Sequence, residues 1–138
     1  MRALVVDDSR AMRMILKRIL VSEGFSVSEA GNGREALNVL EADEATPQLA
    51  LVDWNMPEMN GLEFIKAVRA DERYAAITLM MVTTESEHSQ IVRALAAGAH
   101  EYVIKPFTAD GIVEKLDLMG LRPSESLAGI VGSEGSTV

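Results

Sequence analysis

Short apolar stretches alternate with amphipathic stretches along the chain. The apolar stretches cover residues 3–7, 26–30, 48–53, 77–82 and 100–104. Three of them are nearly continuous in apolar character, which is typical of parallel strands covered on both faces. Residues 26–30 instead alternate between polar and apolar, as expected of an edge strand. The pattern predicts five strands, one of them at the edge of a sheet.

The stretches between the strands have the spacing of amphipathic helices. Their apolar positions are Met12, Ile15, Leu16, Ile19 and Leu20, then Ala36, Leu37 and Leu40, then Phe64, Ile65 and Val68, then Ile91, Val92 and Leu95, and last Ile112, Val113, Leu116 and Met119. Asn32 with Glu35, and Asn60 with Glu63, have capping-box spacing, and Thr108 can cap the last helix. Gly24 and Gly98 are placed to end helices.

Five strand–helix units in series predict a doubly wound α/β domain, because right-handed parallel crossovers place helices on both faces of the sheet. We assign this domain to residues 1–120. Residues 121–138 are rich in Gly and Ser and are interpreted as a flexible tail. The alternative is that Leu127, Ile130 and Val131 dock on the body of the domain.

Composition narrows the class of protein. The chain has 138 residues, 48% hydrophobic and 25% charged, as in one globular domain. A net charge of -8 disfavours nucleic acids and anionic membranes as partners. The lack of cysteine excludes disulfides, thiolate metal sites and cysteine nucleophiles. We find no secretory signal and no membrane-spanning run, so we expect a cytoplasmic protein.

Reactive side chains follow the predicted strands. Asp7 and Asp8 follow the first strand, Asp53 ends the third, Thr83 the fourth, and Lys105 comes directly after the fifth. Ligands of open parallel sheets bind beyond the carboxyl ends of the strands, so these side chains are expected to converge. Sheet stability alone does not require three carboxylates and a lysine at one edge.

The convergence favours a metal-assisted phosphoryl acceptor. Neighbouring carboxylates repel one another unless a counter-charge is present, and oxygen ligands suit a hard ion such as Mg²⁺. An aspartate nucleophile beside a metal ion and a lysine is an arrangement for phosphoryl transfer. Taken singly, Asp7 or Asp8 could be a helix cap, Thr83 another cap, and Lys105 a solvated loop residue. The whole set is more specific than any member.

A second motif, taken alone, would indicate dinucleotide binding. Gly31-Asn32-Gly33-Arg34-Glu35-Ala36 matches the dinucleotide fingerprint G-x-G-x-x-G/A formally. Its preceding strand has the pattern of an edge strand, which places the turn away from a central crevice. Nucleotide binding would also leave the acidic residues and Lys105 without a role. We interpret the motif as a capped loop in which Gly supplies a positive φ.

Several segments resemble one known family. They are Val5-Val6-Asp7-Asp8-Ser9, Asp53-Trp54-Asn55-Met56-Pro57, Asn60-Gly61-Leu62-Glu63, Met81-Val82-Thr83 and Tyr102-Val103-Ile104-Lys105-Pro106-Phe107. Together they resemble the receiver domains of two-component response regulators, most closely the single-domain chemotaxis regulators of the CheY type. The resemblance covers residues 1 to about 120. It implies a flavodoxin-like fold with a five-stranded parallel sheet in the order 2-1-3-4-5 and five helices.

The resemblance also implies roles for the site residues. Asp53 would accept the phosphoryl group, and Mg²⁺ would be bound by Asp8, Asp53 and the backbone carbonyl of Asn55, with Asp7 acting through water. Lys105 would pair with the phosphoryl group, after a cis bond to Pro106. Thr83 would hydrogen-bond the same group. Tyr102 would be the aromatic switch that moves inward with Thr83.

The residues around the site imply how long the phosphorylated form lasts and how far the switch moves. Asn55 and Glu85 resemble the pair that orients an attacking water in chemotaxis regulators, which predicts fairly fast self-dephosphorylation. Thr84 departs from the alanine expected there and puts the amplitude of the switch in question. The implied partners are a sensor histidine kinase as phosphodonor and a downstream protein such as a flagellar motor switch or another phosphorelay protein.

Such a protein assists only its own phosphorylation and dephosphorylation and is not an enzyme acting on other molecules. Two other classes stay open. One is a phosphatase for small phosphoesters that works through an aspartyl-phosphate; such enzymes often carry a second Asp where this chain has Asn55, which cannot act as a general acid. The other is a pseudo-receiver that binds partners without phosphorylation, although the intact acidic cluster argues against it.

Overall fold

The computed structural model describes residues 1–121 of the chain. Within this range, strands and helices alternate as β1 (Arg2–Val6), α1 (Arg10–Ser22), β2 (Ser26–Ala30), α2 (Gly33–Ala42), β3 (Leu49–Val52), α3 (Gly61–Arg69), β4 (Thr78–Thr83), α4 (His88–Ala97), β5 (Glu101–Ile104) and α5 (Ala109–Leu118). A short 3₁₀ turn, Glu72–Tyr74, precedes β4. Of the segment 121–138 interpreted as a tail, residues 122–138 lie outside the described residues. No helix in residues 1–121 is long and apolar enough to cross a bilayer.

The strands form one parallel sheet in the order β2-β1-β3-β4-β5. The structure confirms the doubly wound α/β class, the strand order and the edge position of β2. Val6 of β1 lies in register with Val52 of β3, so the residues that follow them emerge side by side. The backbone N–H of Asp53 donates to the carbonyl of Val6 at 2.9 Å. The sheet itself therefore sets Asp7 beside Asp53.

Two apolar layers cover the two faces of the sheet. Alternation along β1 sends Leu4 and Val6 toward α2, α3 and α4, and Ala3 and Val5 toward α1 and α5. Leu121, which follows α5, is buried in the second layer. Because the central strands are covered on both faces, only their ends are open to solvent. A ligand can therefore reach the central strands only at their ends.

The helix caps follow the sequence closely. Asn60 and Glu63 form a complete capping box on α3, with both hydrogen bonds at 2.9 Å. At α2 the box is incomplete, because the Glu35 carboxylate accepts the N–H of Gly31 and not that of the N-cap residue Asn32. Gly98 ends α4 with φ of 125°, a left-handed conformation that favours glycine.

Candidate functional site

Three carboxylates meet at the carboxyl end of the sheet. Asp7 and Asp8 leave β1, and Asp53 leaves the neighbouring strand β3. One oxygen from each lies within 4.8 Å of the others. The side chains of Asp7 and Asp53 are buried, whereas Asp8 is exposed. The strand register therefore creates one acidic cluster with a closed inner wall and an open outer side.

Lys105 reaches into this cluster from the loop after β5. Its Nζ lies 2.9 Å from Oδ2 of Asp7 and 3.6 Å from Oδ2 of Asp53. Only 13% of the Lys105 side chain is exposed, so it is not the solvated loop residue of the plainer interpretation. The Lys105–Pro106 peptide bond is cis, as expected from the resemblance. The backbone N–H of Lys105 donates to the carbonyl of Thr83 at 2.8 Å and ties this loop to β4.

The site holds more negative than positive charge. Burial raises the pKa of Asp7 above its ordinary value, while the N–H of Ser9 and the Lys105 ammonium act in the opposite direction. Oδ1 of Asp53 is buried, and no donor from residues 1–121 reaches it. One ammonium does not balance three carboxylates, so the set suits a further cation. The ligands are all hard oxygens, and the donor set fits a divalent ion such as Mg²⁺.

Asp7 and Asp8 do not cap α1. The N-cap is Ser9, whose hydroxyl accepts the N–H of Met12 at 3.2 Å, and Oδ1 of Asp7 accepts the N–H of Ser9 at 2.9 Å. The hydrogen bond from Ser9 holds the Asp7 carboxylate in place and leaves Oδ2 of Asp7 for other partners. Ser9 was not identified from the sequence, although a serine just before a helical apolar face is a known start signal.

Thr83, Glu85 and Tyr102 form a chain of contacts beside the acidic cluster. Thr83 is fully buried, and its Oγ1 accepts the N–H of Glu85 at 3.2 Å. The Tyr102 hydroxyl donates to the carbonyl of the same Glu85 at 2.7 Å. Burial, with the nearby carboxylates adding to it, raises the pKa of Tyr102 to about 12. Glu85 therefore connects the end of β4 with the side chain predicted to be the switch.

The remaining predicted residues lie in the loops around the cluster. Asn55 is exposed in the segment after Trp54, and its side chain is open to an approaching ligand. Thr84 is also exposed, between Thr83 and Glu85. The structure thus brings the three carboxylates together and pairs Lys105 with two of them, Asp7 and Asp53, and it places Asn55 and Thr84 in the adjoining loops.

Arg13 belongs to the site but has no signal in the sequence. Its Nη1 donates to the backbone carbonyl of Asp7 at 2.6 Å, and its Nε contacts Oε1 of Glu29 in β2 at 3.2 Å. The guanidinium therefore clamps the turn that carries Asp7 and Asp8 to the edge strand. Its two partners are six and sixteen residues away. A single Arg on a helix gives no local indication of them.

Comparisons with known proteins show the family to which the chain belongs. The response regulator receiver domain matches residues 3–117. The chemotaxis protein CheY1 of Helicobacter pylori strain J99 is 47% identical over 120 residues, which cover 86% of this chain and 96% of that protein. A CheY homolog of Campylobacter jejuni is 45% identical over 130 residues, covering 93% and 99%.

The fold has solved relatives too. The structure of Vibrio cholerae CheY4 superposes with a TM-score of 0.78 at 34% identity, covering 85% of this chain and 96% of that one. A response regulator/GGDEF domain protein gives a TM-score of 0.79 at 29% identity, with 88% of this chain but only 50% of that one covered. The chain belongs to the response regulator receiver domain family, among its CheY-like chemotaxis members.

Proposed function

We propose that this receiver domain accepts one phosphoryl group on Asp53 from a histidine kinase, with Mg²⁺ bound beside it, and passes the signal on through a changed protein-binding surface. The supporting observation is the state of the Asp53 carboxylate. It is buried, its Oδ1 has no donor from residues 1–121, and its Oδ2 faces an ammonium 3.6 Å away. A carboxylate held in this way is partly neutralised at one oxygen and keeps the other free of hydrogen bonds from residues 1–121, available to act as a nucleophile.

The acceptor step needs positioning more than covalent help from other side chains. A carboxylate oxygen of Asp53 forms a bond to phosphorus while the bond to the donor nitrogen breaks, and the donor histidine leaves. Bound Mg²⁺ would neutralise charge on the transferring oxygens. Asp8, Asp53 and the carbonyl of Asn55 would hold this ion, and Asp7 would hold it through water.

Lys105 and Thr83 would stabilise the phosphorylated form. The ammonium of Lys105 already lies within reach of Asp53, so a small displacement brings it to a phosphoryl oxygen. The hydroxyl of Thr83 is buried in the neighbouring strand and currently accepts from Glu85. If the Thr83 side chain rotates so that its hydroxyl moves toward the phosphoryl group, Glu85 loses this contact and the carbonyl that holds Tyr102 is free to shift.

The output surface would lie on α4, β5 and α5. Three large apolar side chains on α4 and β5 are exposed there by 40% or more: Val92, Leu95 and Ile104. Tyr102 lies in the same strand as Ile104, so movement of the tyrosine changes this surface directly. Phosphorylation then acts by favouring one of two arrangements of the surface. The partner would be a flagellar motor switch protein or another phosphorelay protein.

Fluorescence of Trp54 tests the proposal. Trp54 is the only tryptophan, is buried, and follows Asp53 directly. Addition of Mg²⁺, and then of acetyl phosphate with Mg²⁺, should change its emission in two steps, and Asp53→Asn should abolish the second step. Sustained turnover of a generic phosphoester would favour the phosphatase class instead. A response to neither addition would favour a pseudo-receiver.

A further inference from the structure

Gly33, the first residue of α2, contacts the loop that follows the proposed phosphorylation site. Its backbone N–H donates to the carbonyl of Met59 at 3.1 Å. The first N–H groups of a helix have no partner inside the helix, so this donor is free for an outside acceptor. Gly33 is buried, and the contact lies against the apolar layer that Met59 also touches. α2 and the loop are therefore joined by a direct hydrogen bond.

A side chain added at position 33 would crowd Met59. A Cβ built on Gly33 would lie 2.7 Å from Cγ of Met59 and 3.0 Å from both its sulfur and its carbonyl oxygen. The separation from Cγ is too short and the other two are tight, so a side chain at position 33 would displace the Met59 side chain and crowd its carbonyl. The glycine serves the close approach of α2 to Met59. The expectation of a positive φ in this motif is wrong, since neither Gly31 nor Gly33 adopts one. This contact accounts for the second glycine of the G-x-G-x-x-A motif without a nucleotide.

The loop that Gly33 touches is strained. Glu58 has φ of 69°, an uncommon conformation for a residue other than glycine. The N–H of Met59 donates to the carbonyl of Pro57 at 2.7 Å across a tight turn. At the far end, Gly61 donates to the carbonyl of Trp54 at 2.9 Å. Such a conformation persists only where surrounding contacts fix it, and the Gly33 contact is one of these.

We propose that Gly33 is a positioning residue for the phosphorylation site, acting through Met59. By holding Met59, it fixes the path of the loop and therefore the backbone carbonyl of Asn55, four residues earlier. The inference rests on the proposed function, in which that carbonyl binds Mg²⁺. Groups that orient metal ligands often control affinity almost as strongly as the ligands do. The start of α2 is thereby coupled to the metal site through Met59.

The test compares Gly33→Ala with the wild-type protein by two measurements. Amide hydrogen exchange of residues 55–60 without metal reports the loop alone, and it should be faster in the variant. Titration with Mg²⁺, followed by Trp54 fluorescence, should show affinity weakened about tenfold. In the double variant Gly33→Ala/Met59→Ala the collision with Cγ and sulfur is gone, so both properties should return toward those of Met59→Ala alone.

Gly111→Ala is the matched control. Gly111 also lies in the first turn of a helix, and an added Cβ would contact only the hydroxyl of Thr108, at 3.2 Å. This variant should leave loop exchange and Mg²⁺ affinity unchanged. If Gly33→Ala fails to fold, the same comparison is made in the Met59→Ala background.

The two proposals fail in different ways. Unchanged loop exchange and unchanged Mg²⁺ affinity in Gly33→Ala, or a double variant no better than the single one, would overturn the role of Gly33 while leaving the proposed function intact. A wild-type protein that binds no Mg²⁺ would instead overturn the proposed function, and with it the link from Gly33 to the metal.

Discussion

The Lys105 ammonium lies closer to Asp7 than to Asp53, at 2.9 Å against 3.6 Å between Nζ and the two Oδ2 atoms. Its nearest partner is therefore the carboxylate that is not proposed to be phosphorylated. A cation bound near Asp7 would repel the ammonium, and a phosphoryl group on Asp53 would attract it. Both effects move Lys105 in the same direction, from Asp7 toward Asp53.

Replacing Lys105 with methionine should separate stability from metal binding. Without metal, the buried carboxylates lose their counter-charge, and the free energy of unfolding should fall by about 3 kcal/mol. Mg²⁺ should nevertheless bind more tightly, because the ion no longer competes with an ammonium. Phosphorylation by acetyl phosphate should slow by about a hundredfold, because a donor to the transferring oxygens is gone. Urea unfolding, Trp54 titration and phosphorylation rates measure the three effects.

Lys115→Met is the control for that experiment. Lys115 pairs with Glu101 at 3.1 Å, and about a third of its side chain is exposed. Its loss should cost less than about 1 kcal/mol and leave Mg²⁺ affinity unchanged. Weaker Mg²⁺ binding in Lys105→Met than in the wild-type protein would contradict the competition between ammonium and metal.

Thr83→Val and Thr83→Ser test the hydroxyl at the end of β4. Valine has nearly the same shape but cannot accept the N–H of Glu85, so we expect a loss of about 1 kcal/mol in stability. The serine variant keeps the acceptor oxygen and should lose less stability. We also expect valine, and not serine, to shorten the lifetime of the phosphorylated form, which decay of the Trp54 signal would measure. Equal lifetimes in both variants would argue against a bond from Thr83 to the phosphoryl group.

His100 should give the fold a dependence on pH. Its Nδ1 accepts the N–H of Leu79 at 3.1 Å and lies 3.4 Å from Nη2 of Arg69. Burial, with the Arg69 charge adding to it, lowers the pKa of His100 below its ordinary 6.5. The unfolded chain then binds this proton more readily than the folded one. The contribution of neutral His100 to the free energy of unfolding is fully present above pH 6.5. It is lost as the pH falls toward the lower pKa that His100 has in the folded protein.

The variant His100→Asn isolates this contribution, because it keeps an acceptor near the position of Nδ1 but does not titrate. Urea unfolding at several pH values should show wild-type stability falling relative to the variant as the pH drops below 6.5. An NMR titration of the ring should give a midpoint below 6.5. A parallel pH dependence of both proteins would show that the contact with Leu79 does not control stability.

Glu85→Gln and Asn55→Ala examine how long the signal lasts. Glu85 is half-buried beside the switch contacts, and Asn55 is exposed in the loop that follows Asp53. If each orients an attacking water, both changes should slow the loss of the phosphoryl group severalfold after acetyl phosphate is removed. The rate of phosphorylation should change less. Lifetimes equal to that of the wild-type protein would remove these residues from the dephosphorylation step.

The sequence predicted most of the fold because periodicity and strand-end residues are local signals. The strand at residues 26–30 alternates because one face of this edge strand is only partly covered. The Asn60–Glu63 spacing predicted a complete capping box. The Asn32–Glu35 spacing was less informative, because the Glu35 carboxylate finds the N–H of Gly31 instead. The two N-cap residues differ in their backbone conformation, with φ of -163° at Asn32 and -77° at Asn60.

The site was predictable where residues occur at strand ends and hidden where contacts are distant in the chain. Parallel register alone brings Asp7 and Asp53 together, so their meeting could be expected. The Arg13 clamp and the Gly33–Met59 contact join elements that only the folded chain brings together. The preference of Lys105 for Asp7 depends on tenths of an ångström, which no spacing rule supplies.

Intact-mass analysis with acetyl phosphate and Mg²⁺ tests the central claim most directly. The wild-type protein should gain the mass of one phosphoryl group, and chelation of the metal should prevent the gain. The Asp53→Asn variant should stay unmodified, although it is folded and still shows a thermal unfolding transition. No added mass in the wild-type protein, or the same added mass in Asp53→Asn, would contradict the assignment of Asp53 as the acceptor.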